Sequence, residues 1–366
     1  MIVKTDCRSY KGDIPCEPHK KHGVHCADCL YYKRISHNII IIKLGAIGDV
    51  IRTTPLLRKI RENYLDAYIT WLTYSPEILS NQWVDRILDV NTENLEFLKT
   101  LNFDWLINLD KDKIAISLAN TISAEKKSGF ALDKFGHAAP ISNQAEEHKW
   151  LTGLFDDINK ENTKHYVQEV FEICGFEFQN EEYILEIDEN NKNWGIDRSK
   201  KIVGLNTGCG GRWISRLWPI EYWITLAQDL IKNEYEVILL GGEQEDEKNK
   251  LIAKESGAKY FGYYPLKTFI SLLNECDIIV TAVTMAMHIA VGLKKELVLF
   301  NNIFNKNEFY LYNRGVILEP EFDCNCYYTP VCPNNCMQYL YPEKVLDQIL
   351  NLTNEELHKK KINNTL

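Results

Sequence analysis

Short apolar runs, each closed by a turn and followed by a segment with its apolar residues on one helical face, recur from residue 38 to residue 300. Strands joined by helical crossovers are parallel, and helices then cover both faces of the sheet. The run Asn38-Ile-Ile-Ile-Ile-Lys-Leu predicts a strand, Gly45-Ala-Ile-Gly48 a tight turn, and about Asp49–Asn63 a helix with Leu56, Leu57 and Ile60 on one face. Further strands are expected at Ala67–Leu72, Arg86–Val90 and Trp105–Asn108. A polar stretch from Glu186 to Trp194 interrupts the pattern, which restarts at once. Strands at Lys201–Asn206, Glu236–Leu240, Ala258–Phe261, Asp277–Thr281 and Glu296–Phe300 interleave with helices near Ile220–Lys232, Glu245–Ser256, Leu266–Glu275 and Met285–Gly292.

The pattern implies an α/β protein of two Rossmann-like, doubly wound parallel-sheet domains facing a cleft. A chain of 366 residues exceeds what one core usually supports, which agrees with two. The expected division is a Cys-rich segment over 1–37, an N-terminal domain over 38–190, a C-terminal domain over 191–340, and a helix with a frayed polar tail over 341–366. Ligands of such sheets sit beyond the carboxyl ends of the strands, which points to residues 45–49, 206–216, 241–245 and 281–288.

A net charge of −9 argues against a nucleic-acid binder, which needs surplus Lys and Arg to neutralise phosphates. The first thirty residues are polar, with no apolar stretch of the signal-peptide kind, and the longest apolar runs are too short to span a bilayer. A cytoplasmic protein is expected. Nothing in the residues specifies an oligomeric state.

Four loops carry the chemistry. In Lys43-Leu-Gly45-Ala-Ile-Gly48-Asp49-Val-Ile-Arg52-Thr-Thr54-Pro55, the glycines turn the chain sharply and the helix start offers free N–H groups to an anion. Asp49 then faces the cleft, or simply caps the helix. In Asn206-Thr207-Gly208-Cys209-Gly210-Gly211-Arg212-Trp213, followed by Arg216-Leu-Trp218-Pro219, a glycine-rich loop with two guanidinium groups suits a diphosphate. Cys209, like the isolated Cys174 and Cys276, reads as an ordinary residue, with reaction toward oxidants the alternative for a thiol in that loop. The pair Gly241-Gly242 lets the backbone approach a nucleotide, with Glu245 placed to hold a ribose hydroxyl. Thr284 and Met285 open a helix whose N-terminus would meet phosphate or sugar, while His288 reads as a packed core residue. On the N-terminal half, Gly48, Arg52, Asp110, Lys111 and the stretch 126–129 are candidates for a polar or phosphorylated acceptor.

These loops resemble glycosyltransferase family 9, the lipopolysaccharide heptosyltransferases of GT-B fold, over roughly residues 38–345. Gly48-Asp49 followed by Thr54-Pro55 is similar to the family's N-terminal signature, and the resemblance implies that Asp49 is the general base of an inverting transfer. Arg216, two residues before Trp218-Pro219, stands where the family has a cation on the donor diphosphate. Glu245 matches its ribose-binding glutamate, and Thr284-Met-Ala-Met287-His288-Ile-Ala290 its helix under the donor. Two departures stand out: Val283 replaces an aspartate that touches the donor sugar, and Phe300-Asn301-Asn302-Ile303 replaces Phe-Gly-Pro-Thr. The resemblance implies a nucleotide-diphosphate sugar such as ADP-heptose as donor and no catalytic metal. It implies a glycan or other hydroxyl acceptor such as a lipopolysaccharide core, and leaves room for peripheral contact with the inner membrane surface. The alternatives are a nucleotide-sugar-binding protein that has lost catalysis, motivated by the two departures, and a protein or metabolite acceptor. A dinucleotide oxidoreductase is disfavoured, because the first turn lacks the complete dinucleotide glycine spacing.

Two sets of four cysteines remain. Cys7, Cys16, Cys26 and Cys29 lie in a segment with His19, His22 and His25 but few aliphatic residues, and Cys324, Cys326, Cys332 and Cys336 fall within thirteen positions. Four thiolates in a core-poor segment suit a closed tetrahedral structural site, zinc before iron, although plain buried or redox-paired cysteines fit the same spacing. The C-terminal set resembles that of iron-binding heptosyltransferase-like relatives.

Overall fold

The structure is a computed structural model that describes residues 1–187 and 194–363, and side chains as far as 354. It separates into two compact units, one of Met1–Trp150 with Gln168–Glu181, the other of Leu151–Val167 with Glu182–Leu366. The centre of the expected linker, with the 190/191 boundary, lies outside the described residues, as do 364–366. Leu151–Val167, read from sequence as N-terminal, goes with the second unit. There Asn305 donates its side-chain amide to the Asn159 and Asn162 carbonyls, and the Tyr327 hydroxyl donates to Asn159.

The first unit holds a six-stranded sheet in the order β3-β2-β1-β4-β5-β6, with β1 at His37–Ile42, β2 at Ala67–Thr73, β3 at Arg86–Asp89, β4 at Asn102–Asn108, β5 at Ser123–Leu132 and β6 at Ala138–Pro140. All pairs are parallel except β5 with β6. Ile39 to Ile42 are buried, as befits a central strand covered on both faces. The single helix expected over Asp49–Asn63 is two, Ile47–Ile51 and Pro55–Asn63. Pro55 has no N–H to continue the first helix but fits the first turn of the second. Its Leu56, Leu57 and Ile60 are buried, on the face expected.

The second unit holds a six-stranded, all-parallel sheet in the order β12-β11-β10-β7-β8-β9, with β7 at Ile202–Asn206, β8 at Glu236–Leu240, β9 at Lys259–Tyr260, β10 at Ile278–Ala282, β11 at Glu296–Phe300 and β12 at Gly315–Leu318. The last described element is one helix, Pro342–Asn363, which runs on into the stretch expected to be a frayed tail. Val345 and Ile349, one helical turn apart, insert into the second unit's core beside Trp223, Leu226 and Leu230. The Tyr235 hydroxyl donates to Thr353.

Both sheets reverse strand order between their first and fourth strands, at β1/β4 and at β7/β10. This reversal opens a crevice beyond the strand ends where neighbouring loops diverge to opposite sides. Lys43–Asp49 and Asp110–Lys111 leave the first crevice, Thr207–Arg216 and Val283–Thr284 the second.

Ile349 is fully buried. Ile349→Ala is expected to destabilise the second unit by about 2–5 kcal/mol through lost burial and an unfilled cavity. Urea unfolding followed by tryptophan emission checks it.

Candidate active site

In the first unit, a buried lysine organises the crevice. Lys43, 4% exposed, pairs with Asp110 at 2.6 Å and donates to the Gly45 carbonyl at 2.9 Å. The other Asp110 oxygen accepts from the Leu44 and Gly45 amides at 2.5 and 3.4 Å. Asp110 is therefore a clamp on the glycine turn as well as a crevice residue. Buried Asn108 holds it in place, accepting from the Asp110 amide at 3.1 Å while donating to Phe130 O at 2.7 Å.

Asp49 stands one turn into the helix Ile47–Ile51 with its carboxylate 32% exposed. It accepts from the Ala46 amide at 3.3 Å, pairs with Arg52 at 2.8 Å, and comes within 3.9 Å of Lys43. Asp49 thus ties down the helix start while its side chain stays partly exposed. Gly48 is buried beneath it. Lys111 donates to Lys149 O at 2.9 Å and lies 4.7 Å from the Phe130 ring centre. Burial, with Lys149 alongside, pulls its pKa from the ordinary 10.5 to about 8. The 126–129 stretch, a candidate for the acceptor side, belongs to β5, and Lys126 covers the Trp105 ring at 3.8 Å.

In the second unit, Arg216 is 8% exposed and donates to three carbonyls, those of Cys209 at 2.7 Å, Trp213 at 3.4 Å and Val283. These belong to the loops leaving β7 and β10, so one guanidinium ties both sides of the crevice together. Burial lowers its pKa, and no carboxylate pairs with it among the described residues. A buried cation met only by carbonyl dipoles keeps most of its field, and an anion at the loop surface is the natural complement.

Around Arg216 the loops are fixed from below. Asn206 donates to Thr281 at 2.9 Å and more distantly to Thr284, and Thr207 donates to Asn249 at 2.6 Å. Lys248, half-buried and with its pKa lowered by that burial, donates to Thr207 O at 2.8 Å. Glu245 accepts from the Gly242 amide at 2.9 Å, and its carboxyl lies over Gly208, where an added Cβ would come within 2.4 Å of it. Gly208 is thus required by a close approach. Thr284 caps the helix Met285–Gly292, accepting from Ala286 N at 3.2 Å, with Met285 half-buried beside it. His288 is buried and stacks toward Tyr183, as its core reading requires. Arg212 is exposed over the Trp213 ring rather than drawn into the loop. Cys209 is an ordinary buried thiol rather than a reactive one: it is 6% exposed, burial raises its pKa, and it donates to Trp213 O at 3.2 Å. Lys248 and Asn249 escaped the sequence reading, although they lie three and four residues after Glu245, on the helix face that returns to the same loop.

The sulfurs of Cys324, Cys326, Cys332 and Cys336 all lie within 4.8 Å of one another, at 2.7, 3.4 and 3.6 Å for three of the pairs. Tetrahedral zinc, with zinc–sulfur bonds near 2.3 Å, spaces its sulfurs by about 3.8 Å, so the four fit such an ion after a small expansion. Ile303, Trp213 and Phe304 wall the cluster. Asn302 donates to Cys336 Sγ at 3.3 Å and to Ser215 O at 2.8 Å, which links the cluster to the residue before Arg216. Among the described residues this is the one set of metal-type ligands so gathered. Cys7, Cys16, Cys26 and Cys29 are half-exposed free thiols that line a common cavity without meeting that closeness.

The profile of glycosyltransferase family 9 (heptosyltransferase) matches residues 96–302, more than half of the chain. The chain belongs to glycosyltransferase family 9. It is therefore a glycosyltransferase, and the expected GT-B pair of sheets is the family's architecture. Lipooligosaccharide heptosyltransferase 2 of Campylobacter jejuni is 22% identical over 318 residues, 84% of this chain and 95% of that protein. The ADP-heptose lipopolysaccharide heptosyltransferase II of E. coli superposes with a TM-score of 0.65 at 18% identity, covering 87% and 99% of the two chains. The iron-containing dodecameric glycosyltransferase TibC from enterotoxigenic E. coli superposes at 0.54 and 13% identity, covering 87% and 78%. No helix among the described residues is long and apolar enough to cross a membrane.

Within this family 9 chain, Lys111 supplies a pH test. The unfolded chain keeps the Lys111 proton to about pH 10.5 and the folded unit releases it near 8, so its contribution to stability is least below pH 8 and rises between those values. Lys111→Met removes that rise. Its stability relative to the parent protein is expected to fall by about 1–3 kcal/mol between pH 7 and pH 10 in urea unfolding.

Proposed function

We propose that this family 9 enzyme transfers a heptose-like sugar, with inversion, from a nucleotide-diphosphate donor of the ADP-heptose type to a hydroxyl acceptor such as a lipopolysaccharide core. The observation that carries the reading is Arg216, buried and held by carbonyls with no acid to neutralise it among the described residues. Such a cation offsets the charge that builds on a departing diphosphate, and it is already oriented before the donor arrives.

In this mechanism Asp49 accepts the proton of the acceptor hydroxyl as its oxygen attacks the anomeric carbon. The bond from that carbon to the diphosphate oxygen breaks, and the nucleotide diphosphate leaves with the electron pair. The partly exposed Asp49 carboxylate, steadied by Arg52 and Ala46 N, suits a base that meets an incoming hydroxyl. Thr207, Gly208 and Thr284 line the donor loops, Glu245 and Gly242 take the ribose end, and Met285 borders the sugar. Gly48, Arg52, Asp110 and Lys111 form the acceptor side, with Lys111 the group there whose charge changes near pH 8.

The four C-terminal thiols hold a structural metal, zinc or iron, that keeps the 324–336 segment folded against the donor loop and supplies no catalytic chemistry. The resemblance to lipooligosaccharide and lipopolysaccharide enzymes supports a cytoplasmic enzyme working at the inner membrane surface on a lipid-linked acceptor.

Release of ADP from ADP-heptose in the presence of a lipopolysaccharide-core acceptor tests the reading. Asp49→Asn is expected to slow turnover about 10²–10⁴-fold while leaving the donor Kd within about threefold. A rate near that of the parent protein would remove Asp49 as the base, and donor binding without turnover by the parent protein would favour a binding protein on this fold. Arg216→Lys keeps the charge but loses the planar fork, so the donor Kd should rise about tenfold or more, measured by calorimetry. An unchanged Kd would overturn the role given to Arg216.

A further inference from the structure

The N-terminal segment poses a stability question that the transferase reading leaves untouched. None of residues 1–36 is buried, and Ile2, Val3, Tyr10, Ile14, Leu30 and Tyr31 are exposed apolar side chains. Yet the segment is ordered into a short helix, Glu17–His22, a 3₁₀ turn, Cys26–Asp28, and a bridge between Cys7 and Arg34. A chain this short with no core of its own needs a cross-link or a metal to hold its shape.

The four cysteines converge where such a link would sit. Cys7, Cys16, Cys26 and Cys29, together with Lys4 and Tyr32, line one cavity of about 30 Å³, close to the volume of a single water molecule. Cys26 and Cys29 bracket the 3₁₀ turn, and Cys16 is the residue on which the helix starts, with no side-chain cap bond of its own. His19 turns its Nδ1 to Val24 O at 2.9 Å and His22 stacks on Tyr31, so the thiols are the soft ligands facing the space. Residues 1–37 carry seven Lys and Arg against four Asp and Glu in a protein of net charge −9. A local excess of cations suits the net negative charge of a divalent ion held by four thiolates.

We propose that Cys7, Cys16, Cys26 and Cys29 bind one divalent metal ion of the zinc class in a closed tetrahedral site, independent of the C-terminal cluster. The site fixes the segment against the first unit. Arg8, next to Cys7, pairs with Asp85 at 3.0 Å and donates to Ala67 O at 2.6 Å, where β2 begins. The Ile35 amide donates to Asp6 O from the other side of the bridge. Binding replaces four thiol protons, which go to solvent, with four metal–sulfur bonds and leaves no open coordination position.

The test uses the full-length protein purified without added reductant or chelator. Alkylation mapped by peptide mass spectrometry should leave all four N-terminal cysteines unmodified until a strong zinc chelator is added, and should then modify them without any reductant. Modification before chelation would overturn the proposal in favour of free thiols. Modification only after reduction would overturn it in favour of disulfides. Elemental analysis should find one metal equivalent remaining in Cys324→Ser/Cys326→Ser and lost on further Cys26→Ser/Cys29→Ser substitution. Should those variants fail to fold, metal analysis of the parent protein decides: two equivalents support the N-terminal site, and one or none overturns it.

Discussion

A buried cation beyond the strand-order reversal governs each unit, and what each cation meets decides what that unit offers a ligand. Lys43 is neutralised by Asp110 at 2.6 Å, and the same carboxylate binds the backbone of the glycine turn. With the lysine already matched, Asp49 nearby keeps a partly exposed side chain. Among the described residues Arg216 is met by carbonyls and the Phe304 ring and by no carboxylate, so its charge stays available to whatever approaches the loop. One fold, laid down twice, thus gives a face that presents an acid and a face that presents a positive field. A sugar transfer from a diphosphate requires both, one to take a proton and one to receive the leaving group's charge.

Much of this was legible because the crevice of a doubly wound sheet is set by strand order, and strand ends can be read from apolar runs. Asp49, Thr207, Arg216, Glu245 and Thr284 all stand beside such ends. The misses have a common cause in tertiary contacts. β5 reads as Ser-Ala-Glu-Lys-Lys-Ser, too polar for a buried strand, yet the Lys126 chain covers Trp105 and the Lys127 amine reaches Ala119 O. β6 and β12 are short edge strands whose pairing partner supplies the order that their own sequence lacks. The helix break at Pro55 was readable from the proline alone. That the C-terminal helix serves the second unit was not, since Val345 and Ile349 show which face is apolar and not which core receives it.

The roles of the conspicuous side chains were also only partly legible. Arg212 and Arg216 are indistinguishable in sequence as loop cations, but Arg216 lies within reach of carbonyls on two loops and is drawn in, while Arg212 stays out over Trp213. Lys248 carries the third positive charge of this region and was invisible because it sits on a helix of alternating charges, where a solvated role is the ordinary one. Its amine bonds Thr207 O instead.

The two departures from the family pattern acquire a physical sense beside the cysteines. Val283 brings no acid toward Arg216; it contributes a carbonyl, and a carboxylate there would have competed with a diphosphate for the same guanidinium. Asn302, in place of a proline, spans from Cys336 Sγ to Ser215 O with one amide group. A proline has neither donor, so it could not connect those two segments. Asn301 closes the same turn by donating to Phe304 O and Glu319. Ser215 is held a second time by the segment between the cysteines, its amide donating to Pro330 O and its hydroxyl to Thr329 O. The departures and the C-terminal cysteines therefore form one construction, in which the 324–336 segment fixes Ser215 and, through it, the backbone that aims Arg216. A chain that buttresses the 206–216 loop from this side has a structural use for Asn301 and Asn302.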